Sequence, residues 1–244
     1  MDRRLEGAGL LRLCRNYLID ARCGVIVDVE ASRAIRQAEV GAARTMLERT
    51  EARFGLRPRR LAADTAYGSA PMLNWLVEDK QIEPHIPVID KSRREDGTFS
   101  RGEFRFDAER NVYSCPASKE LRTSGTLVND DTTLLYRGSI KDCAPCPLKA
   151  RCCPNTSVRK IPRSIYERAR DVARSLAGTE AFERSRHDRK RIEMRFAHLK
   201  RILRLGRLRL RGPRGAQDEF TLAAIAQNLR RLARLVIPPL PLAA

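Results

Sequence analysis

Hydrophobic and polar positions follow two different periods in the first ninety residues of the chain. Apolar residues in short β-rich runs predict strands, and apolar residues spaced three or four apart predict helices. The elements predicted in this way are a hairpin with strands at 16–19 and 24–30, a helix at 37–54, a strand at 59–63, a helix at 71–79 and a strand at 83–89. Residues 16–89 are therefore predicted to form the first part of an α/β core.

The pattern changes over residues 90–162, where charged residues, Gly, Ser and Thr replace the alternation of helices and strands. Short β-rich runs at 102–107 and 133–137 predict hairpins in this segment. Most of the cysteines of the chain also lie here. We expect a small Cys-rich β insertion within the core.

Residues 163–236 return to helical periodicity and predict a helical C-terminal part of the same core. The predicted elements are a helix at 165–176, a break at Gly178, a charged helix at 184–205, an extended segment at 207–211 and an amphipathic helix at 221–236. The apolar residues of the last helix recur at spacings of three and four; they are Leu222, Ile225, Leu229, Leu232 and Val236.

The charged helix combines an apolar stripe with one acid between two cations. Its stripe consists of Ile192, Phe196, Leu199 and Leu203. At about 100° per residue, Arg189, Glu193 and Lys200 fall in one narrow sector at the edge of that stripe. The pattern predicts a carboxylate held between two cations where the buried face meets water.

Positive charge is concentrated around this helix. The chain carries a formal net charge of +18, and residues 184–214 contain thirteen Arg or Lys against two acids. Such an imbalance indicates a polyanionic partner, and we expect DNA phosphates to contact Arg207, Arg209 and Arg211, which alternate with leucines. The alternative is a basic surface helix in which Glu193 is an ordinary ion-pair partner.

Composition restricts the class of protein further. The chain is 42% hydrophobic and 32% charged, which is typical of a soluble protein with a true core. No window approaches the roughly 20 apolar residues that span a bilayer, and the first residues do not resemble a signal peptide. We expect a cytoplasmic protein without a membrane partner, associated with the nucleoid when it is bound to DNA.

Five cysteines of the predicted insertion have spacings that suit a metal site. Cys143 and Cys146 form a C-x2-C pair, Cys152 and Cys153 follow closely, and Cys115 lies upstream in a β-like run. Four thiolates of this kind would suit a structural zinc ion in a segment poor in large apolar residues. The favoured ligands are Cys115, Cys143, Cys146 and Cys152, with Cys153 as the alternative fourth ligand; the competing interpretation is ordinary reduced thiols.

Two acids lie in settings that suit a second kind of metal. Asp64 follows the strand predicted at 59–63, and Glu193 lies on the charged helix between cations. Carboxylates that converge on divalent ions can support phosphodiester transfer. If they do so here, the two carboxylates should lie roughly 4–7 Å apart across a two-ion site.

These residues also carry a resemblance to a known family. The spacing Arg189-x3-Glu193-x6-Lys200 within RKRIEMRFAHLK resembles the R-E-K part of the Y-R-E-K signature of DDE transposases of bacterial insertion sequences. LAADTAYGSAPM resembles the region around the second catalytic Asp of that family, which corresponds to Asp64, and the signature Glu corresponds to Glu193. CPLKARC and RLRLRG…AAIAQNLRRLARL are similar to one subgroup, so that the resemblance covers nearly all of residues 16–235.

The resemblance implies a fold and a reaction. The implied fold is RNase H-like, a mixed sheet flanked by helices, with an Asp-Asp-Glu triad that binds two Mg²⁺ or Mn²⁺ ions. The implied activity is cleavage of DNA at the ends of an insertion sequence and strand transfer into target DNA. The implied partners are DNA and further copies of the chain, as a homo-oligomer in a transposition complex. Arg189 and Lys200 would contact DNA beside the active site.

The sequence departs from the family pattern in two places. Arg186 stands where the signature has Tyr. In the family, the first catalytic Asp lies on a strand that precedes the hairpin. Asp20 and Asp28 lie in or beside the hairpin, and we assign that catalytic role to neither of them. We therefore expect an N-terminally truncated catalytic domain, lacking its first strand and inactive alone. The competing hypothesis is a non-catalytic, zinc-containing DNA-binding protein.

Overall fold

The computed structural model describes residues 13–90, 94–202 and 208–236, with the side chains of 195–202 and 234–235 left out of the description. These residues belong to two compact units. The hairpin unit runs through Tyr67 and resumes at Leu176, and the Cys-rich unit is Gly68–Ser175. The insertion predicted at 90–162 lies inside the Cys-rich unit, which begins earlier and ends later. Together the units combine antiparallel strands with flanking helices, an α/β arrangement.

The hairpin unit contains three strands and three helices. They are β1 (Leu13–Asp20), β2 (Val25–Arg33), α1 (Arg36–Phe54), β3 (Arg60–Ala62), α6 (Glu180–Ile202) and α7 (Gly212–Val236). A 3-10 turn at Thr65–Tyr67 follows β3. The predicted hairpin is confirmed, with longer strands, and α1 ends where predicted because Gly55 adopts the left-handed conformation, with φ of 63°.

Helix α7 closes the outer edge of the hairpin. The side-chain amide of Asn228 accepts from the Ile26 N–H and donates to the Ile26 carbonyl, both at 2.8 Å. The amide of Gln217 accepts from the Ala31 N–H at 2.7 Å and donates to the Val29 carbonyl at 3.1 Å. The two amides therefore occupy edge groups of β2 that would otherwise be free to pair with another strand.

The buried face of α7 is not the face that the sequence predicts. The residues of α7 packed against β2 are Ala216, Phe220 and Ala224, in a core shared with Ile26 and Val29. The predicted apolar stripe points outward instead, and its members Leu222, Ile225, Leu229, Leu232 and Val236 are all at least half exposed. The helix also begins at Gly212 rather than 221. The prediction for this helix was wrong in both respects, because packing on β2 selects the small-residue face.

Helix α1 is fixed to β2 by one arginine. The Arg49 guanidinium donates to both carboxylate oxygens of Asp28, at 2.7 and 3.0 Å, and to the Val29 carbonyl at 2.9 Å. It also lies 2.9 Å from the carboxylate of Glu30. These bonds hold the pKa of Arg49 above its usual value, the bond to Asp28 being the largest cause. Asp28 is thus committed to holding the helix.

The Cys-rich unit is built on a five-stranded antiparallel sheet whose strands follow chain order. Its strands are β5 (Arg105–Asp107), β6 (Val112–Ser114), β7 (Glu120–Val128), β8 (Thr133–Arg137) and β9 (Lys160–Ser164). The remaining elements are α2 (Ala70–Asn74), which continues as a π-helical turn at Trp75–Asp79, β4 (Glu83–His85), α3 (Ile140–Cys143), α4 (Lys149–Cys152) and α5 (Glu167–Leu176). Strand β8 lies where predicted, whereas the strand predicted at 83–89 ends at His85.

One face of this sheet carries an aromatic core. Its buried members are Phe99, Phe104, Tyr113, Leu121, Tyr136 and Ile161. The Arg163 guanidinium stacks 3.7 Å from the Phe106 ring centroid and donates to the Tyr113 hydroxyl at 3.0 Å. An arginine thus completes the apolar core through its planar face.

A buried carboxylate ties α5 to the rest of the Cys-rich unit. Glu167 is fully buried and accepts hydrogen bonds from Arg101, Arg170 and Arg174. Burial raises the pKa of Glu167, but the bonds from Arg101 and Arg174 outweigh it and leave the pKa below its usual value of 4.5. The ionised form is therefore the one that the folded unit requires.

Replacing this carboxylate should destabilise the Cys-rich unit. Glu167→Gln leaves three guanidinium groups around a neutral amide, and we expect a loss of about 3–5 kcal/mol in the free energy of unfolding. Because the folded pKa is depressed, the wild-type contribution is full above the unfolded pKa and is lost as the pH falls through the folded value. Chemical denaturation between pH 3 and 7 measures both effects.

The matched control is Glu180→Gln, which removes an exposed carboxylate paired with Arg184 at 2.7 Å. It should change the free energy of unfolding by less than about 1 kcal/mol. Equal effects of the two substitutions would contradict the role given to Glu167.

Candidate functional site

Asp64 lies two residues after β3 and is exposed. Its carboxylate accepts a hydrogen bond from the Ala66 N–H at 2.8 Å, and its carbonyl accepts one from the Tyr67 N–H at 3.2 Å. These bonds form the turn that places the acid after the strand. The bond to Ala66 occupies one carboxylate oxygen and leaves further lone pairs for a ligand.

The pKa of Tyr67 reflects the negative charge near this turn. Its pKa is raised to about 12, first by burial and then by the negative charges of Glu39 and Asp64. Tyr67 is therefore neutral at physiological pH. Two carboxylates close enough to hinder its ionisation create a local field that favours a cation.

Glu193 projects from α6 beside a partly buried arginine. The Arg189 guanidinium lies 3.4 Å from the Glu193 carboxylate, and their side chains are 33% and 59% exposed. Arg189 shares a helical row with Phe182 and Ser185, which are buried. Arg189 and Glu193 thus form an ion pair one helical turn apart, whereas the side chains of the predicted stripe beyond Ile192 lie outside the description.

Helix α6 is held by other parts of the hairpin unit. It packs against β3, the strand that precedes Asp64. The Arg191 guanidinium also donates to the Ala21 carbonyl in the hairpin turn, at 3.4 Å. Asp64 and Glu193 therefore lie in one unit, Asp64 two residues beyond β3 and Glu193 on α6, and β3 and α6 contact each other.

The other predicted DNA-contacting residues are described in part. Lys200 lies on the last turns of α6, and its side chain is outside the described residues, as is the whole of Arg207. Arg209 and Arg211 are exposed. The Glu219 carboxylate accepts from the backbone N–H groups of Arg209 and Leu210, which fixes this segment at the start of α7.

Five thiols line a single cavity in the Cys-rich unit. The cavity of about 30 Å³ is bordered by Cys115, Cys143, Cys146, Cys152 and Cys153. It lies between the end of β8 and the two short helices α3 and α4. Sequence spacing favoured four of these residues, and the structure places Cys153 beside them.

Backbone groups around the cavity contact the sulfur atoms of two cysteines, Cys115 and Cys143. The Lys119 N–H lies 3.3 Å from the Cys115 Sγ, a geometry in which it donates to the thiol. A Cβ at Gly138 would approach the Cys143 Sγ to 2.9 Å, so that glycine lets this thiol keep its position. Arg159, buried nearby, donates to the carbonyls of Cys152 and Phe99, each at 2.7 Å.

Burial disfavours the ionised form of two of these thiols, Cys152 and Cys143. It raises the pKa of Cys152 to about 11, with the neighbouring Cys153 as the next cause. The pKa of Cys143 is also raised, mainly by burial. A bound cation would reverse this preference because it stabilises thiolates.

Both sets of residues have donor chemistry that fits the expected metals. Exposed carboxylate oxygens suit Mg²⁺ or Mn²⁺, and thiolates suit zinc. Within residues 13–90, 94–202 and 208–236, however, no group of three or more His, Cys, Asp or Glu side chains has the arrangement of a metal site. The thiols would have to converge further on a metal ion, and the two acids are not a complete ligand set.

Sequence reasoning missed Arg159 and Gly138, which shape the surroundings of the thiols. Gly138 follows the strand predicted at 133–137 and could have been recognised as a turn residue. Arg159 gives no local signal, because one of its two carbonyl acceptors, that of Phe99, lies 60 residues away in the chain.

Comparison with known families gives one match, to part of the chain. The family described as Transposase DDE domain matches residues 114–233. The matched residues run from β6 into α7 and make up 120 of the 244 residues of the chain. The match includes Glu193 and the cysteines from Cys115 to Cys153, whereas Asp64 lies before it.

No curated protein and no solved structure matches the chain. Of the helices in the described ranges, none has both the length and the apolar character needed to cross a membrane.

Proposed function

We propose that this chain is the catalytic-domain part of an insertion-sequence transposase, with an RNase H-like arrangement around Asp64 and Glu193. Its substrate is DNA, namely the ends of the element and the target. It acts as one subunit of a homo-oligomeric transposition complex and associates with the nucleoid through DNA.

The observation that carries this proposal is the packing of α6 against β3. It brings the helix with the Arg189–Glu193 pair to the strand that leads into Asp64. The family match supplies the class of reaction independently of this geometry.

The acidic and the basic residues of the site have different proposed roles. Asp64 and Glu193 are proposed ligands of a divalent cation. When bound, such an ion would activate a water or a 3′-hydroxyl and stabilise the leaving oxygen. Arg189 positions the Glu193 carboxylate, and Arg189 and Lys200 contact DNA beside the two acids. The segment with Arg207, Arg209 and Arg211 contacts the phosphate backbone.

Two acids are fewer than the three that this chemistry uses. Asp28 is held by Arg49, and the Asp20 carboxylate accepts from the Arg22 N–H in the hairpin turn. We infer that neither replaces the first catalytic Asp. The 244 residues taken alone should bind DNA without completing strand transfer.

The cysteines have a separate, structural role in this proposal. Zinc bound by Cys115, Cys143, Cys146 and Cys152 would cross-link β6, α3 and α4, with Cys153 as the alternative fourth ligand. Thiols gathered around one cavity and a glycine that makes room for sulfur support this assignment.

The carboxylate site is tested by binding of Mn²⁺ to the full chain. Asp64→Asn and Glu193→Gln should each weaken Mn²⁺ binding by about tenfold or more, because each removes a charged ligand. Electron paramagnetic resonance of free Mn²⁺ measures the affinity. Asp188→Asn is the matched control, since it removes an acid from α6 that pairs with Arg191 at 3.1 Å. Equal losses of Mn²⁺ affinity in all three variants would contradict a specific site, because they would show that the affinity depends only on the total negative charge.

Activity provides a second test. Strand-transfer assays on this chain should show no product, whereas a fusion that adds a family-like N-terminal segment with another Asp should recover activity. Robust strand transfer by the unfused chain would show that the first Asp has been misplaced.

The DNA-binding segment is tested by salt dependence. Replacing Arg207, Arg209 and Arg211 together by Gln should lower the slope of log affinity against log salt by about three, since each phosphate contact contributes about 0.9. The matched control replaces Arg184, Arg186 and Arg191, each paired with an acid on α6. Fluorescence anisotropy on duplex DNA from 50 to 300 mM salt gives both slopes, and a salt-independent curve for the wild type would contradict the charge argument.

The zinc assignment is tested by chelation and metal analysis. Removing zinc should lower the melting temperature of the Cys-rich unit by on the order of 10 °C. Cys146→Ser should abolish the metal, and Cys152→Ser compared with Cys153→Ser identifies the fourth ligand. Cys23→Ser in the hairpin unit is the control. A melting profile unchanged by chelation would remove the zinc claim.

A further inference from the structure

Three cations stand in register across the sheet of the Cys-rich unit. Arg122 on β7 lies directly opposite Arg137 on β8, and Arg137 lies directly opposite Lys160 on β9. We call these three residues the cation ladder. Directly opposed residues of neighbouring strands project to the same face of a sheet, so the three side chains share one face.

That face is the solvent side of the sheet. The adjacent register positions Tyr136 and Ile161 point into the aromatic core and are 1% exposed. Because side chains alternate along a strand, the ladder points away from that core. All three of its residues are exposed.

The ladder is only partly neutralised. The Glu120 carboxylate pairs with Arg122 at 2.9 Å and with Arg110 at 2.6 Å. Glu120 is also the single acid in the sequences of β7, β8 and β9. Among the described residues, the side chains of Arg137 and Lys160 have no hydrogen-bond or ion-pair partner. Like charges directly opposite each other destabilise a sheet, so the arrangement costs stability unless an anion is bound.

We propose that the cation ladder is a DNA-contacting surface, which binds successive phosphates of one strand of duplex DNA. Strands lie about 4.8 Å apart, so the ladder spans roughly 10 Å. Phosphates recur at about 3.4 Å of axial rise on each strand, so side chains spread over this span can reach more than one phosphate. The proposal rests on the proposed function and extends it, because it adds a contact on a different unit from Asp64 and Glu193.

The position of the ladder also suits this role. Arg137 precedes Gly138, whose backbone lies against the Cys143 thiol and whose N–H donates to the Arg159 carbonyl at 3.0 Å. Lys160 follows Arg159, which is anchored by its bonds to Cys152 and Phe99. The free cations are therefore presented from a braced part of the sheet, with little chain entropy lost on binding.

The test uses a double substitution that should weaken DNA binding without lowering the stability of the fold. In the full chain, Arg137→Gln with Lys160→Gln should weaken binding to a 30-base-pair duplex by on the order of tenfold at 100 mM salt and lower the salt slope by about two. Removing opposed like charges should leave the melting temperature unchanged or raise it by up to about 2 °C. Arg137→Lys should retain nearly all of the affinity and slope. A general loss of fold would lower binding and melting temperature together.

The matched control is Arg94→Gln with Arg168→Gln. It removes the same charge from the same unit, at cations that lie near Asp96 and Glu78. Its slope should change by less than one. Equal effects of the two double variants on the slope would overturn the ladder as a specific surface.

The remaining outcomes separate this inference from the proposed function. A wild-type chain that fails to bind duplex DNA would overturn both. If replacement of Arg209 and Arg211 weakens binding while the ladder variant does not, the inference alone is overturned. If the ladder variant loses affinity for polyglutamate but not for DNA, the surface recognises an acidic polypeptide and the inference is overturned as well.

Discussion

The hydrogen bonds between α7 and the edge of β2 are the constraint on which the hairpin unit depends. A two-stranded hairpin is marginal in water, and its outer edge is an open row of donors and acceptors. The side-chain amides of Asn228 and Gln217 pair with this edge. Each amide accepts a hydrogen bond from a backbone N–H of β2 and donates one to a backbone carbonyl of β2. Helix α7 thereby satisfies backbone groups of β2 that a neighbouring strand would otherwise satisfy.

This arrangement also fixes the rotation of α7 about its axis. With both amides and Phe220 directed at the hairpin, the opposite side of the helix must face outward. The leucine-rich stripe is therefore exposed as a consequence of edge pairing. Transfer of that stripe into a core would favour burial, but it would require rotation of the helix and loss of several well-formed hydrogen bonds at the β2 edge.

Local sequence signals predicted those elements that local physics determines. The hairpin, α1 with its Gly55 terminus and β8 follow from alternation, periodicity and a glycine. The Arg189–Glu193 pair follows from helical spacing in the same way. All of these depend on residues close together in the chain, so that a single sequence suffices.

The elements that were missed depend on distant partners. The sequence around Gly212 and Gly215 favours a turn, yet it begins α7 because Pro213 is tolerated in the first turn and Ala216 packs on the hairpin. Strand β7 is rich in Ser, Thr and Gly, and its place in the sheet comes from pairing with β6 and β8. The cation ladder is of the same kind, since only the register of three strands aligns Arg122, Arg137 and Lys160.

The large positive charge of the chain therefore has two physical uses. Some arginines are structural: Arg49 clamps a helix to a strand, Arg163 stacks within an aromatic core, and Arg101 answers a buried carboxylate. The planar guanidinium makes several directed bonds at once, which explains why such positions favour Arg over Lys. Their charge is already balanced or covered, and it contributes little to a distant polyanion.

Exposed cations such as Arg209, Arg211 and the members of the ladder differ in kind. Their charge is presented to solvent on backbone that is held by bonds of its own, as Glu219 holds the segment before α7. Net charge by itself cannot distinguish the two groups, whereas the structure does so by the partners of each guanidinium. The cations that the fold leaves exposed and at most partly paired are therefore the ones that our proposal assigns to DNA.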